Sequence, residues 1–158
     1  TEGLLGRYAA LINGAISARP ADMMVSMHLC RGNFRSMHIA SGGYDPVAEV
    51  LFNGIGVDAY FMEYDDERSG SFAPLRFLPK GKTVVLGIVT SKRGDLESRD
   101  ELLRRIEGAA QFAPIEQLAI SPQCGFASTE EGNLLTEEEE WAKLRRCVEV
   151  AREVWGGV

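Results

Sequence analysis

Thr83-Val84-Val85-Leu86-Gly87-Ile88-Val89-Thr90, followed after a polar loop by Ser98 to Phe112, is the stretch that decides the fold class. The first segment is a continuous apolar run rich in β-branched residues, as expected of a strand covered on both faces. In the second, Leu102, Leu103, Ile106, Ala109 and Ala110 recur at helical spacing, so it reads as an amphipathic helix. A buried strand feeding such a helix is the repeating unit of a parallel α/β fold.

Working outward, the same unit recurs. Toward the N-terminus, Val57 to Glu63 reads as a strand, with Phe72 to Phe77 as a short helix before Pro79. Before that, Met23 to Leu29 is a strand and Asp45 to Phe52 a helix, Asp45 being placed as N-cap and Pro46 in the first turn. Tyr8 to Ala18 is a leading helix that ends near Pro20. Toward the C-terminus, Leu118 to Ser121 is a short strand, and Thr136 to Trp155 the last helix. Thr136 with Glu139 three residues later forms a capping-box signature. The expected class is therefore α/β: a helix, then four strand–helix units with parallel strands and right-handed crossovers. Two architectures satisfy this pattern, an open doubly wound sheet and half of an eight-stranded barrel. Half a barrel leaves strand edges and an apolar interior exposed. A further segment would then complete it: a missing N-terminal half-barrel, or a second copy of the chain.

Composition narrows the functional classes. The chain has 158 residues, the size of one domain, and 45% of them are hydrophobic. Its formal net charge of -6 argues against a nucleic-acid binder, which needs a basic face to displace counterions. Much of the acid is Glu137 to Glu140, where it suits the first turn of a helix. No apolar run approaches the roughly 20 residues of a membrane span, so no membrane partner is expected. Thr1 to Arg7 lack the apolar core of a signal peptide, and the absence of an initiator Met leaves room for a longer natural protein. The three cysteines are too few and too dispersed for a disulfide framework; a reducing cytoplasm suits them, with roles in packing, catalysis or metal binding.

The chemistry-bearing residues fall at the ends of the expected strands, the functional rim of parallel α/β folds. His28 and Cys30 close the first strand, Glu63 closes the second, and Cys124 follows the fourth within Ser121-Pro122-Gln123-Cys124-Gly125-Phe126. His28 and Cys30 are two apart, so on an extended chain both point the same way. Thiolate, imidazole and carboxylate together form a tetrahedral zinc donor set, and the carboxylate is the ligand that can yield to a substrate thiol. Cys147, beside Val148 and Val150 in a helix, reads as a core thiol, and His38 as a loop residue. Polar segments follow the other strand ends. Arg31 or Arg35 can meet a substrate carboxylate, and Asp65 or Glu67 an amino group. Arg31, Asn33 and Asp65 are the expected substrate contacts. Gly54-Ile55-Gly56 precedes a strand instead of following one, which disfavours nucleotide cofactors.

These motifs resemble the cobalamin-independent methionine synthases and their shorter single-barrel relatives. The resemblance rests on His28-Leu29-Cys30-Arg31-Gly32-Asn33, on Phe61-Met62-Glu63-Tyr64-Asp65, and on Ser121 to Phe126. Leu86-Gly87-Ile88-Val89-Thr90-Ser91-Lys92 and Gly125-Phe126-Ala127-Ser128-Thr129 place it closer to the short relatives. It implies the C-terminal half of a (β/α)8 barrel spanning the whole chain, 1–158, with zinc on His28, Cys30, Glu63 and Cys124. It further implies homocysteine as the thiol substrate, Glu63 as the labile ligand in catalysis, and a methyl donor that in the long enzymes is a methylfolate. The long enzymes carry a proton-donating His after the strand corresponding to Thr83 to Thr90. Here that segment reads Thr90-Ser91-Lys92, so a folate donor does not follow from the likeness. The alternatives are an alkyltransferase for another thiol, such as coenzyme M, and a non-catalytic zinc module.

Overall fold

The computed structural model describes residues 2–127 and 129–157; Thr1, Val158 and Ser128, the last quoted in one of the motifs above, lie outside the described residues. Helix α1 (Glu2–Ile16) precedes β1 (Ser26–Leu29), α2 (Ala48–Gly54) and β2 (Ala59–Glu63). Strand β3 (Thr83–Val89) leads to α3 (Arg99–Ala110), and β4 (Leu118–Pro122) to α4 (Glu137–Trp155). Short 3-10 turns span Glu67–Ser69, Ala73–Phe77 and Ile115–Gln117. The four strands form one parallel sheet in the order β1-β2-β3-β4. That order never reverses, as it must in a doubly wound sheet. The alternative left open by the sequence is thereby decided: this is the sheet of a half-barrel.

The register assigns the faces. His28 pairs with Phe61, Phe61 with Val85, and Val85 with Ala119, so these four share one side. Tyr60, Met62, Val84, Leu86 and Leu118 take the other side, where they are buried with Leu102, Ile106 and Ala109 of α3 and Val150 of α4. The apolar core thus lies between sheet and helices, and the opposite face, a barrel's interior, is left partly open. Phe61, at the centre of that face, is 37% exposed. Helix α1 likewise presents Leu4, Tyr8 and Leu11 to solvent.

Element boundaries moved where side chains replaced ladder bonds. Both leading strands start later than expected, because Asp58 intervenes: its carboxylate accepts the Val25 amide at 2.8 Å and pairs with Arg19 at 2.5 Å. Helix α1 begins several residues earlier than Tyr8. Asp45 is not the cap of α2: the helix starts at Ala48 behind Val47, with no side-chain cap, and Asp45 faces Arg76 at 3.5 Å. Two caps stand as read. Ser98 accepts the Glu101 amide, and Thr136 and Glu139 form both bonds of a capping box. Thr136→Ala is expected to destabilise the protein by about 1 kcal/mol in urea denaturation, while Thr136→Ser, which keeps the capping hydroxyl, leaves stability unchanged.

Candidate metal centre

The sheet delivers three donors to one point. His28 lies on β1 and Cys30 directly follows its last residue, and their ligand atoms come to the same point. Cys124 arrives from the end of β4 because the β3–β4 ladder shifts register between Gly87 and Val89. Gly87 makes that approach possible, since a Cβ there would lie 3.0 Å from the Gln123 Cα and 2.9 Å from the Met62 carbonyl. The ligand atoms of His28, Cys30 and Cys124 all lie within 4.8 Å of one another. Cys124 Sγ and His28 Nε2 are 3.5 Å apart. A tetrahedral zinc with sulfur at about 2.3 Å and nitrogen at about 2.0 Å requires donor separations of roughly 3.3 to 3.8 Å; the Cys124–His28 separation falls in that range, and two thiols with an imidazole are donors zinc accepts.

Both sulfurs receive N–H donors. The Gly32 amide donates to Cys30 Sγ at 3.2 Å, and Gln123 Nε2 to Cys124 Sγ at 2.6 Å. Gly32 holds its turn at φ +94, where a Cβ would also strike Ile39 at 2.7 Å. Burial pushes the Cys124 thiol up to about 12; the neighbouring Cys30 and Glu63 add to the rise, and Lys92 opposes it.

Glu63 stands beside these three donors, fully buried at 0% exposure. Its Oε2 accepts the Arg31 amide at 2.5 Å, and its Oε1 accepts Arg68 Nη2 and Lys92 Nζ, both at 3.2 Å. Arg31, expected to meet a substrate, turns its buried guanidinium onto the Gly42 carbonyl (2.7 Å), the Tyr44 hydroxyl (3.0 Å) and the Glu63 carbonyl (3.2 Å). Asp65 is buried too, bonded by Lys92 Nζ at 2.9 Å and by the Thr90 hydroxyl at 2.9 Å. Burial works to raise its carboxyl, but the Lys92 bond and charge, Thr90 and Arg68 outweigh it and hold the carboxyl below its usual range. Asn33 donates to Ser91 Oγ at 3.2 Å. Arg35, His38 and Glu67 are exposed outside this cluster, and Cys147 is buried in the core.

Four contributors were not assigned from sequence: Tyr44, Arg68, Lys92 and Gln123. Tyr44 accepts the Glu63 amide at 2.9 Å and so ties the loop after β1 to the end of β2. A single Tyr in a loop carries no signal for this. Lys92 and Gln123 each follow a strand, the positional signal that did find Cys124. A depression of about 360 Å³, lined by His28, Phe61, Pro122, Cys124 and Phe126, opens onto two of the donors, His28 and Cys124, from the barrel side.

The comparisons agree with this fold. The family described as the cobalamin-independent synthase catalytic domain matches residues 8–153. Two Bacillus subtilis (strain 168) proteins of uncharacterized function are each 56% identical to the chain. YxjH aligns over 98% of the chain and 41% of its own length, YxjG over 94% and 39%. A Listeria monocytogenes protein provisionally assigned as a vitamin-B12-independent methionine synthase superposes with TM-score 0.74 at 38% identity, covering 97% of this chain and 42% of that one. A B12-independent methionine synthase from Shewanella sp. W3-18-1, solved with selenomethionine, shares the fold at TM-score 0.72 and 18% identity, over 92% of this chain and 42% of that one. The chain therefore spans about two fifths of the length of these relatives. With the half-barrel sheet, the three-donor rim and a family match running almost end to end, this chain belongs to the cobalamin-independent synthase catalytic-domain family.

Proposed function

We propose that this chain is the metal-bearing, C-terminal half of a barrel enzyme that methylates the sulfur of homocysteine to form methionine. The observation that carries the reading is the convergence of His28, Cys30 and Cys124, whose ligand atoms lie within 4.8 Å of one another on the functional rim. His28, Cys30 and Cys124 would hold zinc, with Glu63 as the exchangeable fourth ligand. When bound there, zinc supplies a charge that keeps a substrate thiol ionised near neutral pH. In the transfer, the homocysteine sulfur forms a bond to the methyl carbon while the bond from that carbon to its carrier breaks. The carrier leaves with the electron pair.

The protein's own groups prepare this step. Gln123 and the Gly32 amide donate to the two cysteine sulfurs and so fix their orientation. Arg31 and Tyr44 clamp the end of β2, which sets the direction of Glu63. Asn33 and Asp65, expected as substrate contacts, flank the site through Ser91 and Lys92. The open barrel face and the unpaired outer edges of β1 and β4 support completion by a further half-barrel, from a longer chain or a second copy. A reducing cytoplasmic setting keeps the donor thiols free for metal.

The test uses the natural full-length protein. Zinc is expected at one equivalent per site, with methionine formed from homocysteine when methyl donors, a methylfolate and a methylsulfonium in parallel, are supplied. A zinc coordination shell that saturating homocysteine leaves unchanged would favour a structural zinc module. Turnover of coenzyme M but not homocysteine would move the assignment to another thiol.

A further inference from the structure

The three N–H bonds of one ammonium link every exchangeable part of the site. Lys92 Nζ donates to Glu63 Oε1 at 3.2 Å, to Asp65 Oδ2 at 2.9 Å and to Gln123 Oε1 at 2.5 Å. Those acceptors use its full donor capacity. Gln123 in turn passes an N–H to Cys124 Sγ. Glu63 is thus held by Lys92, Arg68 and the Arg31 amide, outside the group of three donors that lie within 4.8 Å of one another.

Building on the function proposed above, we infer that Lys92 is a positioning residue that takes up the Glu63 carboxylate when the substrate thiol displaces it from the fourth position. The physical argument is competition between cations for one carboxylate. Buried Glu63 must sit against positive charge. With Lys92 present, Glu63 Oε1 is anchored by Lys92 and Arg68 and Oε2 faces the Arg31 guanidinium at 3.7 Å, so a thiolate can take the fourth position without leaving the carboxylate unpaired. Without Lys92, Asp65 and Glu63 Oε1 are left to share Arg68, the Arg31 guanidinium stays on Oε2, and Oε1 turns more readily to the dication at His28, Cys30 and Cys124. The carboxylate then competes with the incoming thiol. Asp66 reinforces the normal arrangement: its carboxylate accepts the Arg68 amide at 2.9 Å and Nε at 2.6 Å, aiming Nη2 at Glu63.

Cobalt-substituted full-length protein tests this, because sulfur-to-cobalt absorption reports thiol coordination directly. Homocysteine titrated into K92M is expected to bind with affinity reduced by about 10- to 100-fold, the usual span for a lost outer-shell partner. The cobalt affinity itself is expected to stay within a few-fold. K92R is expected to recover part of the loss. The distinctive outcome is K92M/E63A: removing the competing carboxylate should restore homocysteine affinity, which a merely structural role for Lys92 would not produce. Equal thiol affinity in K92M and the native protein, or no recovery in the double variant, overturns the inference. If K92M is recovered unfolded, R68M, which removes the other side-chain donor to Oε1, is titrated instead. An unchanged thiol affinity there overturns the inference equally. Native protein that binds cobalt but shows no change with homocysteine overturns the proposed function itself, a result distinct from a difference confined to K92M.

Discussion

Cys124→Ser is expected to lower the zinc affinity of the full-length protein by more than about 100-fold. Loss of an outer-shell partner alone costs roughly 10- to 100-fold, and Cys124 is proposed as a direct donor. Serine keeps the size and loses the chemistry, since a hydroxyl does not ionise near neutral pH as a metal-bound thiol does. The substitution also removes the acceptor of the Gln123 amide and the contact 3.5 Å from His28 Nε2. Competition against a chromophoric chelator measures the effect. Cys147→Ser is the control: that thiol is buried in the core, and burial pushes it up to about 12, with Glu97 adding to the rise. Its replacement is expected to alter stability and leave zinc affinity unchanged. Equal affinities in Cys124→Ser and native protein would remove the metal from this site altogether.

That His28, Cys30 and Cys124 lie together was legible in sequence because each obeys a rule of spacing or position. His28 and Cys30 follow from two-residue alternation, and Cys124 from its place after a strand. The parallel order followed from repeated strand–helix units, since each crossover places the next strand beside the last. What stayed hidden depends on the directions of loops. Arg68 reaches Glu63 only because Asp66 caps the 3-10 turn at Glu67–Ser69 and grips the guanidinium. Arg31 reads as a free cation in sequence. It is buried because the chain from Gly42 to Tyr44 folds back over it, the Tyr44 ring lying 4.2 Å from its guanidinium carbon. Asp45 misled for a similar reason: an N-cap residue before Pro is locally sound, but Arg76, distant in sequence, offered the carboxylate a charge partner.

Glu97→Leu is expected to cost about 3 kcal/mol of stability, far more than its place in a loop between β3 and α3 implies. The reason is Lys143 on α4, whose side chain is 0% exposed. Its ammonium has three acceptor atoms: the Asp95 carbonyl at 2.6 Å and the two Glu97 carboxylate oxygens at 3.2 and 3.0 Å. Removing Glu97 leaves a buried cation with one carbonyl for company, the situation that costs about 3 to 5 kcal/mol when a buried pair is broken from one side. The Thr90 amide loses its acceptor as well, at 2.8 Å from Glu97 Oε1. Lys143→Met is expected to cost less, because Glu97 is 19% exposed and still accepts from Thr90. The double variant Glu97→Leu/Lys143→Met should recover most of the single loss, giving a coupling of about 1 to 3 kcal/mol in urea denaturation. A cost below about 1 kcal/mol for Glu97→Leu would mean that water reaches Lys143 and that the pair does not anchor α4. The same pair bears on the metal centre through Thr90, whose hydroxyl bonds Asp65, which in turn holds Lys92. Glu97→Leu should therefore weaken zinc binding slightly, well short of Cys124→Ser, because its effect reaches Cys124 only through Thr90, Asp65, Lys92 and Gln123 in series.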